Sequence, residues 1–90
     1  MYPDAAAALS VVDALPAVLA PRVYGVWRDH RGELRLGITD GPQVLLGDDS
    51  RLRAKVAAAA TMLDQLASEG STPAVLDVSV PNLPVVRDRE

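Results

Sequence analysis

The sequence predicts an α+β domain: a mostly antiparallel five-stranded sheet with helices packed on one face. Three observations carry that reading. Residues 33–39 alternate apolar and polar side chains, the period of a half-buried strand. Residues 51–69 place Leu52, Val56, Ala59, Leu63 and Leu66 at steps of four and three, which draws one apolar stripe along a helix. Turn-forming residues at 29–32, 40–41, 47–50, 70–73 and 81–83 cut the chain into pieces of strand or helix length. The order is helix, three strands, helix, two strands.

Asp4 can cap a first helix by accepting the free amides of its opening turn. That helix runs from Ala5 to Leu15, with Leu9, Val12 and Leu15 or Pro16 falling on one apolar side. Pro16 stops it and opens a short turn over 17–20, which Pro21 ends. Arg22 to Arg28 reads as a strand, because Val23, Tyr24, Val26 and Trp27 are β-branched or aromatic. After the turn Asp29-His30-Arg31-Gly32, the strand Glu33 to Thr39 directs Leu34, Leu36 and Ile38 to one face. Asp40-Gly41 signals a hairpin, with Gly41 expected to supply the positive φ. Gln43 to Leu46 completes a three-stranded meander. Asp49 or Ser50 is expected to cap the long helix Arg51 to Glu69, and Gly70 to close it. Ala74 to Val80 is a fourth strand, Pro81-Asn82-Leu83 a turn, Pro84 to Arg87 a short last strand, and Asp88-Arg89-Glu90 a charged tail.

Composition narrows the functional classes. A chain of 90 residues is read as one domain spanning 1–90. Its core must be aliphatic, since there is no Phe, one Trp and two Tyr. Nine basic and twelve acidic residues give a formal charge of −3, with no basic stripe interleaved with aromatics, so no nucleic-acid footprint is present. With no Cys, disulfides and thiolate chemistry are excluded. No stretch reaches the roughly 20 apolar residues that span a bilayer, and no signal peptide is recognisable. The opening Met1-Tyr2-Pro3-Asp4 reads as the start of a piece of a longer protein, so any membrane anchor of that protein would lie outside it.

Catalytic and metal-binding patterns are not assembled. His30 is the only histidine and sits in a turn, where a solvated side chain is the simple reading. Asp48 and Asp49 are adjacent but lack the repeat of a calcium loop, and a capping role suits them better. The glycines form no phosphate cradle, and no serine has a nucleophile setting. No cofactor or metal is expected. Asp77 interrupts a strand and is expected to face outward, paired with an arginine such as Arg35. Lys55, the only lysine, is expected to snorkel over the sheet edge. The last strand reads as an edge, since Pro84 lacks an amide hydrogen. Such an edge is either a template for a partner's strand or one protected by Pro84 and the tail.

Several segments, taken in order, resemble one family. Gly32-Glu33-Leu34-Arg35-Leu36-Gly37-Ile38-Thr39-Asp40-Gly41-Pro42-Gln43-Val44-Leu45-Leu46-Gly47 is similar to a strand–turn–strand block of the FtsQ/DivIB bacterial cell-division proteins. Leu52-Arg53-Ala54-Lys55 resembles that family's helix opening. Val75-Leu76-Asp77-Val78-Ser79-Val80-Pro81 resembles its following strand, in the form typical of actinobacterial members. Leu15-Pro16 and Val23 fit the lead-in to the same region. The resemblance covers most of residues 9–87.

The resemblance implies a non-catalytic divisome scaffold. It implies the extracytoplasmic β domain of a single-pass membrane protein whose span and POTRA domain are not in this sequence. It also implies binding of FtsB/DivIC- and FtsL-type partners by strand addition. Carried over by position, Ser79 and Val80 end the strand leading to the binding edge, Pro84, Val85, Val86 and Arg87 form the edge, and Arg31 lies on the neighbouring hairpin. The final strand has no aromatic, in contrast to some family members. Two other classes are weighed against this one. An unrelated adaptor or ligand-binding module would use a pocket around Trp27 and Tyr24. A minimal enzyme would need Asp77, Asp48 or His30 to converge in one concave site.

Overall fold

The structure is a computed structural model that describes residues 4–88, so Arg89 and Glu90 of the expected tail lie outside the described residues. Helix α1 spans Ala5–Ala14 and is followed by a 3-10 turn at Ala20–Arg22. Strands β1 (Val23–Arg28), β2 (Leu34–Ile38) and β3 (Gln43–Gly47) precede helix α2 (Leu52–Glu69), and β4 (Val75–Asp77) and β5 (Val85–Arg87) follow it. The sheet order is the chain order, β1 to β5. All neighbours are antiparallel except β3 and β4, which run parallel. The sheet is therefore mixed, within the expected α+β class. A parallel pair needs a crossover connection, and α2 supplies it.

One apolar core lies between the helices and a single sheet face. Leu34, Leu36, Ile38, Val44, Leu46, Leu76 and Val78 pack there against Ala7, Val11, Val56, Ala59 and Leu63. The stripe predicted on α2 is the stripe buried. On α1 only Leu15 of the expected apolar side packs against the core. Ala7 and Val11 face inward, whereas Leu9 and Val12 are exposed. An alanine-rich helix accepts either rotation by pattern alone. A contact distant in sequence selects one: the Asp4 carboxylate caps Ala7 (3.0 Å) and is clamped by the Arg28 guanidinium of β1 (2.8 Å). Pro21 does not end a turn but sits in the opening turn of the 3-10 segment, where its missing amide is harmless.

Two loop expectations are also corrected. In the β2–β3 hairpin the positive φ belongs to Asp40 (56°), not Gly41. Gly41 is there for space, since a Cβ would meet the Ile38 side chain at 2.9 Å. At the start of α2 neither Asp49 nor Ser50 caps. The N-cap position is Arg51, left-handed at φ 53° with no side-chain cap. Asp48 is occupied instead with Lys55, whose ammonium donates to the Asp48 carboxylate (2.8 Å) and carbonyl (3.1 Å). Lys55 is 2% exposed, so it is a buried strut between α2 and the β3–α2 loop, not a snorkelling side chain. That pairing, with bonds from Ser50, holds the Asp48 carboxyl far below the usual carboxylate range. Gly70 closes α2 in the left-handed conformation as expected.

Candidate partner-binding edge

The second face of the sheet carries a different population. Arg35 is buried there, and its guanidinium donates to Asp29 (2.8 Å) and to Gln43 (3.3 Å). Tyr24 and Trp27 stack with ring centroids 6.3 Å apart. The Tyr24 ring occupies the space above Gly37, where a Cβ would collide with it. A register shift in β1 between Val23 and Gly25 lets Val23 reach the core while Tyr24 turns to this face. The aromatic pair thus tiles the sheet.

Asp29 organises the β1–β2 turn. One carboxylate oxygen accepts the amides of Arg31 (2.9 Å) and Glu33 (3.1 Å), and the other accepts Arg35. Burial pushes its carboxyl up. The Arg35 bond, the Glu33 and Arg31 amides and the Arg35 charge outweigh that and hold it at about 2. A carboxyl lowered from 3.8 stabilises the fold above its unfolded pKa and loses that contribution as pH falls towards 2. The contribution is about 2 kcal/mol. Urea unfolding at pH 6 and at pH 2.5 is therefore expected to show a smaller acid loss in Asp29→Asn than in the parent. Equal losses would mean that Asp29 titrates normally.

The predicted partner-contacting residues fall into three groups. Val85, Val86 and Arg87 form β5, the outermost strand, exposed and preceded by the half-buried Pro84. Ser79 and Val80 do not end a strand, because β4 stops at Asp77. The Asp77 carboxylate accepts the Ser79 amide (3.0 Å) and hydroxyl (2.6 Å), and this bends the chain out of the sheet. Ser79 and Val80 lie in the β4–β5 connection, with Val80 exposed. Arg31, in the β1–β2 turn, shares a cleft of about 230 Å³ with Arg87, His30, Arg35 and Leu45. Sequence positions 31 and 87 thus meet on one face.

Asp77 pairs with Arg87 (3.2 Å), not with Arg35. The sheet order explains this: β3 separates β2 from β4, whereas β5 is the direct neighbour of β4. The Asp-x-Ser spacing at Asp77 and Ser79 is the local signal that could have foretold the bend.

Backbone directions complete the edge. Val75, Leu76 and Asp77 face Arg87, Val86 and Val85 across the antiparallel pair. The Arg87 carbonyl accepts the Ala74 amide at 3.1 Å and so points towards β4. Successive residues of a strand direct their backbone groups to opposite sides. The amide and carbonyl of Val86 therefore point away from the sheet, to the open edge.

Residues 3–79 match the family model of cell division protein FtsQ/DivIB, C-terminal. The chain belongs to the FtsQ/DivIB C-terminal family. No curated protein and no solved structure matches it. FtsQ/DivIB proteins are membrane-associated, non-enzymatic scaffolds of cell division that act with other division proteins. The FtsQ/DivIB match includes Arg31, Asp77 and Ser79 and stops before β5. Among the described residues no helix is long and apolar enough to cross a membrane, and no three acidic or histidine side chains gather as a metal site.

Proposed function

We propose that this FtsQ/DivIB domain captures FtsB/DivIC- and FtsL-type division proteins by adding a partner strand to β5. The domain then acts on the extracytoplasmic side of the cell membrane, as one part of a longer protein that carries the membrane span and a POTRA domain. One observation carries the reading: β5 is an exposed outer strand whose Val86 amide and carbonyl face outward. Unpaired edge groups are satisfied best by another strand. The cleft that reaches β5 at Arg87 also holds Arg31, whose charge suits an acidic side chain of the partner.

Deleting Pro84–Arg87 tests this. Those residues are exposed or half-buried and lie outside the apolar core, so the fold should survive their loss. Binding of a peptide from the extracytoplasmic segment of an FtsB/DivIC-type protein should vanish in calorimetry, while thermal unfolding stays cooperative. Unchanged affinity would refute the edge.

A further inference from the structure

We propose that Asp77 is a positioning residue for partner capture, holding β5 in the place where Val86 can receive an added strand. This rests on the edge reading above and concerns how that edge is kept available.

Little else secures β5. Val85 and Val86 stay 42% and 39% exposed, so the strand gains only partial apolar burial. Its pairing with β4 spans three residue pairs. A strand held so lightly opens at small free-energy cost, well below that of global unfolding. Asp77 acts at both ends of the excursion that creates the edge. One carboxylate oxygen takes the Ser79 amide and hydroxyl and sends the chain out of β4. The other takes the Arg87 guanidinium and fixes the returning strand. The geometry is consistent along the pair: Val75 lies opposite Arg87, and Asp77 opposite Val85, so Asp77 and Arg87 are diagonal neighbours on one face. The Asp77 side chain is 12% exposed, so the clasp is partly shielded from water. Asp77 does not need to touch the partner. It sets the fraction of molecules whose edge is formed, and that fraction scales the observed affinity.

Asp77→Asn isolates the clasp, because the amide oxygen can still receive the Ser79 bonds while the charge facing Arg87 is gone. In the free chain, exchange of the Val85 and Arg87 amides should accelerate by about tenfold, with α2 amides unchanged. Towards the FtsB/DivIC-type peptide, the association rate should fall by about fivefold with the dissociation rate unaltered, since only the competent population changes. A lost direct contact would act on dissociation instead. The proposal is overturned if β5 exchange does not change, if α2 amides accelerate equally, or if the loss appears in the dissociation rate. Absence of peptide binding to the parent chain would sink the edge reading, and the free-chain exchange would still decide whether Asp77 holds β5.

Discussion

Replacing Val86 with proline is expected to weaken partner-strand binding by roughly 10- to 100-fold while leaving the melting temperature almost unchanged. A proline there breaks ladder bonds, and the backbone directions say which ones. The Arg87 carbonyl faces β4, so the Val86 amide faces the open edge and has no bond to β4 to lose. Proline is tolerated on an edge strand when the missing amide would have faced solvent. An incoming strand would find one of its carbonyls opposed by a carbon instead of a donor. An unsatisfied hydrogen-bonding group costs about 1–3 kcal/mol, and each 1.4 kcal/mol is about a factor of ten in affinity. Calorimetric titration paired with thermal melting checks this. A loss of fold stability with unchanged affinity would place the Val86 amide on the wrong side.

Lys55→Ala is expected to be the most damaging single change to stability outside the aliphatic core, at about 3 kcal/mol. The side chain is almost fully buried, and its ammonium satisfies both the carbonyl and the carboxylate of Asp48. Truncation removes several buried methylenes and the ammonium's bonds to Asp48. For a domain of this size the shift is roughly 15 °C in melting temperature. Lys55→Met keeps most of the stem and should lose about 1–2 kcal/mol. The ordering separates packing from charge. Met as harmful as Ala would mean that the ammonium contact dominates; Met as stable as Lys would mean that it contributes nothing.

These predictions rest on features of different legibility in the sequence. The α2 stripe, the β2 alternation and the Gly70 stop were readable, because each is a local period or a backbone preference that a few neighbouring residues reveal. The rotation of α1 was not, because alanines at most positions leave the pattern nearly symmetric and Arg28, 24 residues away, makes the choice. The parallel pairing of β3 with β4 was equally hidden, since strand neighbours are a property of the whole sheet. That order also decided the arginine partners: Arg35 found Asp29, and Asp77 found Arg87. The candidate edge itself was legible through Pro84 and the short apolar run after it. Its junction with β4 was not, because the Asp77–Ser79 bend ends the fourth strand three residues before the alternation does.

The central claim is that β5 is an open edge completed by a partner's strand. Amide exchange across residues 74–88, with and without the FtsB/DivIC-type peptide, tests it most directly. In the free domain the Val85 and Arg87 amides should be partly protected by β4, and the Val86 amide should exchange freely. With the peptide bound, Val86 should gain protection and its neighbours should slow further. Binding that protects residues around Arg31 or Tyr24 but leaves Val86 exchanging freely would contradict strand addition.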